Sequence, residues 1–235
     1  MRHRPAAQHR CAIINRLSFR VGCILFSIIQ AAGWPIWPLV ACSVLALALI
    51  IERFISLKST RVAPPRLLDE VISVSRSALP SADMVAQLER NSSLGEVLAS
   101  GFKAINTNPR LTDADLRATM EGTGRLVAHR LERYLSALAT IASAAPLMGL
   151  FGTVVGMIEI FGSQGPSGGA PAGNPAQLAH GISVALYNTA FGLIIAIPTL
   201  IFWRYFRATV DAYLLTLELA ADRLARHLNT LRKGP

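Results

Sequence analysis

The stretch APLMGLFGTVVGMIEIF, residues 145–161, decides the fold. It is apolar enough for a membrane, yet glycines stand where a buried helix would carry leucines, at Gly149, Gly152 and Gly156. A lone hydroxyl stands among them at Thr153. The stretch belongs to a run of 25 residues without a charge, 134–158. Two similar runs flank it in the chain, residues 31–51 with 21 uncharged positions and 181–203 with 23. At about 1.5 Å per residue each reaches roughly 30 Å, enough to cross the hydrocarbon core of a bilayer. The apolar patch at 21–30 is too short to do so. Charged residues are only 16% of the chain, against about 25% in an ordinary soluble domain. A soluble core helix rarely goes this far without a charge. The fold class is therefore all-α integral membrane protein, with three transmembrane helices and long cytoplasmic helical extensions.

The net charge of +9 could suggest a nucleic-acid partner, but its distribution argues against one. Arg53, Lys58 and Arg61 follow the first run; Arg125, Arg130 and Arg133 precede the second; Arg204 and Arg207 follow the third. The link between the second and third runs has no charge over 162–179, apart from its flanking His180. Basic residues gather on the cytoplasmic side of a membrane protein. The pattern thus predicts an N-terminus outside and a C-terminus in the cytoplasm. The domains read as an N-terminal segment 1–30, a first span 31–52, a cytoplasmic helical domain 53–133, a second span 134–161, a periplasmic loop 162–179, a third span 180–203 and a cytoplasmic helix 204–235. Residues 1–20 carry five arginines and no acid, which resists export. They read as a mis-assigned start, with translation beginning near Val21; a signal peptide is the rival reading.

Between Glu52 and Arg133 there are twelve basic and ten acidic residues, the near balance of a solvated helical bundle. The first span is expected to continue through ERFISLKST until Ala63–Pro65 breaks it. Ser81 has the look of a helix cap, and Leu94, Val97, Leu98 and Phe102 share one helical face. Thr112 and Asp115 form a capping pattern, after which one long helix should run directly into the second span. Beyond the third span, Val210, Leu214, Leu217, Leu224 and Leu228 mark an amphipathic continuation of the same helix. Trp34 and Trp37 suit the outer interface, and Pro35 and Pro38 suit a first helical turn. No phosphate-binding loop, nucleophile elbow or zinc-protease motif is present, and the five histidines are dispersed. Cys11, Cys23 and Cys42 have no metal or disulfide spacing. The expectation is no enzyme, no cofactor and no metal.

Small residues recur at intervals of three and four along the second span, at Ala142, Ala145, Gly149, Gly152 and Gly156. The third span repeats the device with Ala185, Thr189, Gly192 and Ala196. In lipid, helices associate by close packing, and such stripes let backbones approach. Packing alone accounts for most of them. Thr153 and Thr189 add hydroxyls near mid-span, and Asn188 adds an amide, which in hydrocarbon needs a partner. Together with the stripes they suggest a mildly polar lumen. Pro146 and Pro198 each remove a backbone bond within a span and create a candidate hinge. No charged residue lies deep in any span, and Glu159 falls at the outer end of the second. A titrating group for ion movement would come from another chain.

The motifs GWPIWPLVACSVLALALIIERF, SLGEVLASGF, LERYLSALATIASAAPLMGLFGTVVGMIEIF and GISVALYNTAFGLIIAIP resemble the MotA/TolQ/ExbB proton-channel family, most closely its ExbB branch. The resemblance covers nearly the whole chain from about Phe26. It implies an inner-membrane stator with three spans and an outside N-terminus, assembled as a homopentamer around the single helices of two ExbD-like chains. The partner's membrane aspartate would carry the proton, and a TonB-like protein would be energised to drive outer-membrane import. Thr153 and Thr189 match the residues facing that aspartate. The family often has a glutamate in the third-span motif GIxEAL; here that position is Val184, and Ser183 and Asn188 are the nearby polar candidates. A TolQ-like role in envelope integrity shares the same motifs. A flagellar MotA role fits less well, with three spans rather than four. A non-conducting scaffold is the reading from another class.

Overall fold

The computed structural model describes residues 34–77, 80–162 and 175–233. The expectations for the N-terminal segment, for the first residues of span one and for the loop at 163–174 lie outside the described residues. Everything regular among those described is helical: α1 (Ile36–Ser56), α2 (Ser59–Val62), α3 (Leu67–Ser77), α4 (Ala82–Asn91), α5 (Ser93–Thr107), α6 (Asp113–Glu132), α7 (Leu135–Gly162) and α8 (Pro175–Lys233). Three helical stretches are long and apolar enough to cross a membrane, one from each charge-free run.

The chain forms two compact units, Met1–Ala46 with Thr140–Thr199, and Leu47–Ala139 with Leu200–Pro235. The first unit holds the apolar parts of α1, α7 and α8. Its buried centre is small: Leu39, Ala145 and Ala196, with Met148, Phe191 and Ile195 packed around them. Large side chains point away from that centre; Leu147, Ile158 and Ile194 are each about two-thirds exposed. This is inverted relative to a soluble bundle and is what helices immersed in lipid adopt, with small residues inside and bulky ones facing the chains.

The second unit is built like a soluble bundle. Leu94, Val97, Leu98 and Phe102 are buried on one face of α5, as their spacing predicts. They meet Leu116, Met120 and Val127 of α6 and Val210, Leu217, Leu224 and Leu228 of α8 in one hydrophobic core. The caps are in place. Ser81 Oγ accepts from the N–H of Met84 at 3.4 Å and Ser92 Oγ from that of Gly95 at 3.0 Å. Thr112 Oγ1 accepts from the N–H of Asp115 at 3.2 Å and donates to its carboxylate at 2.6 Å. Surface ion pairs, such as Arg117–Asp222 at 2.5 Å and Arg207–Glu132 at 2.9 Å, link α6 to α8. Exposed pairs of this kind contribute little each.

One expectation of helix continuity is corrected and one holds. The helix of the first span does not persist to Ala63; it stops at Ser56, and Lys58 is extended at φ −64°, ψ 133° before one turn of α2. Leu57 and Val62 are both buried. Five residues apart on a continuous helix they would point some 140° away from each other. The break turns both inward, and Tyr213 Oη donates to the Leu57 carbonyl at 3.0 Å. At Arg133–Tyr134 a turn marks the boundary between α6 and α7, but Arg133 keeps helical angles of φ −45°, ψ −41°, and residues 113–162 run as one helical stretch into the second span, as the sequence predicts. Arg53, a charged residue only 2% exposed, packs against this junction. Arg53 Nη1 donates to the Leu131 carbonyl at 2.8 Å. Glu52 Oε2 accepts from Arg53 Nε at 2.7 Å, and the guanidinium lies 4.9 Å from the centre of the Tyr134 ring.

Arg53→Met is therefore expected to leave the Leu131 carbonyl unpaired and to destabilise the second unit by about 1–3 kcal/mol. Circular-dichroism melting in detergent should show a lower Tm for Arg53→Met and a smaller loss for Arg53→Lys, which keeps a donor but not the fork.

Candidate ion path and helix seam

The small-residue stripes of α7 and α8 face each other. A Cβ built on Gly192 would come within 2.6 Å of the Ala145 carbonyl oxygen and 3.2 Å of Gly149 Cα. One on Gly149 would meet the Asn188 carbonyl oxygen at 2.8 Å and Thr189 Cα at 3.0 Å. One on Gly152 would meet Asn188 Cβ, Cγ and Nδ2 at 2.8, 2.9 and 3.0 Å, and one on Gly156 the Ala185 Cβ at 3.3 Å. The numbering ascends on one helix as it descends on the other, so the seam is antiparallel. These approaches are closer than any side chain allows, which is the physical reason for glycine at Gly149, Gly152 and Gly192. Leu39 of α1 closes the seam against Ala145 and Ala196, and Trp34 lies edge-on to Phe151 at 6.2 Å. Nothing in the local pattern of the first span singles out Leu39.

The polar residues take different places around the seam. Asn188 is inside it, 2% exposed. Thr189 is half-buried, its Cα against Gly149. Thr153, next to Gly152, is half-buried, and its Oγ1 donates to the Leu150 carbonyl of its own helix at 2.7 Å. The hydroxyl proton is thus engaged, and what Thr153 offers to a neighbour is an acceptor oxygen. Ser183 is exposed and donates to the Ala179 carbonyl at 2.9 Å. The Val184 side chain lies outside the described residues. Glu159 is exposed near the end of α7. Neither proline interrupts its helix: Pro146 is half-buried within α7 and Pro198 exposed within α8. The structure thus brings Gly149, Gly152, Asn188, Thr189 and Gly192 together, places Thr153 at the border of that contact and leaves Ser183 on the outer surface of α8. Among the described residues no group of acidic, histidine or cysteine side chains is arranged to hold a metal.

A seam with hydroxyls at its edge and no ionisable group at its centre can hydrogen-bond a passing carrier but cannot itself hold a net charge. A model of the MotA/TolQ/ExbB proton channel family matches residues 89–219, more than half of the chain and the whole of this seam. The chain belongs to that family. An ExbB-like protein of Synechocystis is 34% identical over 179 residues, 76% of this chain and 83% of that one. The biopolymer transport protein exbB1 of Vibrio cholerae is 31% identical over 72% of this chain and 73% of its own. The Tol-Pal system protein TolQ of Pseudomonas aeruginosa is 31% identical over 72% of this chain and 75% of its own. Membership in the MotA/TolQ/ExbB proton channel family, with three apolar helices, makes this a multi-pass membrane protein.

Proposed function

We propose that the chain is the stator subunit of an ExbB-type channel in the bacterial inner membrane, using the proton motive force to energise a TonB-like transducer for outer-membrane import. The observation that carries the reading is the α7–α8 seam, lying wholly within the family match and bordered by Thr153 and Thr189. The proton is carried by the membrane aspartate of an ExbD-like single-span partner, because no acid lies deep in any span of this chain; Glu52 and Glu159 stand at the span ends. Thr153 supplies an acceptor oxygen and Thr189 a second hydroxyl to that carboxyl as it loads and unloads; Ser183 stands nearer the outer end of α8. Five copies surround two partner helices. The positive-inside charge pattern supports a periplasmic N-terminus and a cytoplasmic C-terminus.

Two other readings have an observation behind them. The similarity to TolQ supports a role in envelope integrity. Val184, where the family often has glutamate, supports a non-conducting scaffold. Proton uptake into liposomes under an imposed potential separates scaffold from channel: the complex with its ExbD-like partner is expected to acidify the lumen well above protein-free vesicles. An assembled complex that stays at the protein-free rate, with the TonB-like load also present, would favour the scaffold. Complementation of strains lacking ExbB or TolQ separates the remaining two.

A further inference from the structure

We propose that Asn188 is a positioning residue, which sets the level of Thr189 against Thr153 by its fit on Gly152, and that it lies off the ion path. The inference rests on the proton-path reading of the two threonines.

Residues 188 and 189 sit in a notch cut by two glycines one turn apart on α7. The Asn188 carbonyl and Thr189 Cα fill the space of a Gly149 Cβ, and the Asn188 side chain fills that of a Gly152 Cβ. With 2% exposure, the amide faces protein rather than lipid or a lumen. An amide in the hydrocarbon region is costly, and burial in a helix contact is where it is tolerated. Thr153 is the next residue after Gly152, and Thr189 the next after Asn188. A slip of one helix along the other by a single residue, about 1.5 Å, would empty the notch and change the level of Thr189 relative to Thr153.

The three glycines differ in what obstructs them, and this makes the proposal testable. At Gly149 and Gly192 the nearest obstacles are main-chain atoms. At Gly152 the three nearest atoms all belong to the Asn188 side chain. A methyl at Gly152 should therefore be accommodated by removing that side chain, whereas a methyl at Gly149 should not.

The test is proton uptake by the complete complex with its ExbD-like partner, per assembled complex, with melting temperature read on the same samples. Gly152→Ala is expected to lower uptake about tenfold or more, since overpacking forces the helices apart. The double variant Gly152→Ala with Asn188→Gly should return to within about threefold of wild type, the new methyl occupying the vacated volume. Gly149→Ala with Asn188→Gly should stay low. Wild-type uptake from Gly152→Ala alone would overturn the proposal. So would a double variant that assembles with normal stability yet stays low, because the amide itself would then be required on the path. If the wild-type complex moves no protons even with the TonB-like load present, the channel reading fails; the fit is then decided by Tm, with recovery in the double variant upholding it and no recovery overturning it.

Discussion

Gly149→Val and Gly192→Val are each expected to abolish proton uptake and co-purification of the ExbD-like partner. The added Cβ alone would lie 2.8 Å from the Asn188 carbonyl oxygen at Gly149, and 2.6 Å from the Ala145 carbonyl oxygen at Gly192. Those obstacles are main chain on the facing helix, so no rotamer change relieves them. The helices must separate, and in lipid no hydrophobic force holds them at the new distance. Overpacking in a well-packed core costs about 1–3 kcal/mol, and a rigid backbone obstacle places these variants at or above the upper end. Two methyls beyond the Cβ make valine worse than alanine. Gly122→Ala is the matched control. Nothing lies within 4 Å of its missing Cβ, and it sits on the exposed side of α6. Replacing a glycine in an exposed helix interior should stabilise by up to about 1 kcal/mol. The expected result is a Tm that falls sharply for the two seam variants and rises slightly for the control.

Much of this arrangement was legible in the sequence, because it depends on local spacing. The charge-free runs mark the apolar helices; Ser81 and Thr112 cap where their neighbours suggest; the three-and-four spacing of Ala145, Gly149 and Gly152 on one span, and of Ala185, Thr189 and Gly192 on the other, marks the faces that meet. What was not legible depends on contacts between distant residues. At the junction before α7 Arg53 reaches a carbonyl 78 residues away, and the break after α1 is accompanied by a bond from Tyr213 across 156 residues. Neither junction has a proline or glycine to announce it. Within the site, an amide in a span could be read as polar, but not whether it faced a lumen or a glycine. That depends on the antiparallel register, which places Asn188 opposite Gly152. The place of Thr153 was readable from its neighbours, whereas the bond from its hydroxyl to Leu150 was one of several options open to a helical threonine.

Thr153→Val is the substitution that separates an ion path from a packing seam. The two side chains are nearly the same size, so the change removes one hydroxyl and little volume. In the fold that hydroxyl serves only the Leu150 carbonyl of its own helix, at 2.7 Å. A threonine bond to the preceding turn adds little to a helix whose carbonyls are already engaged in the ladder. Assembly and Tm should therefore stay close to wild type. Proton uptake should not. On the proton-path reading proposed above, Thr153 Oγ1, with its proton donated to Leu150, offers lone pairs to a protonated carboxyl of the ExbD-like partner, and valine offers none. Losing a hydrogen bond to a group that must be desolvated in hydrocarbon costs about 1–3 kcal/mol, a fall in rate of roughly tenfold to a hundredfold. Thr153→Ser restores the oxygen without the methyl and should recover most of the uptake. Thr189→Val should behave in the same direction, with some loss of Tm because Thr189 is seated against Gly149. Unchanged uptake in both valine variants of a conducting complex would remove the hydroxyls from the path. The seam would then be a packing device alone, and the carboxyl of the partner would have to load and unload against water.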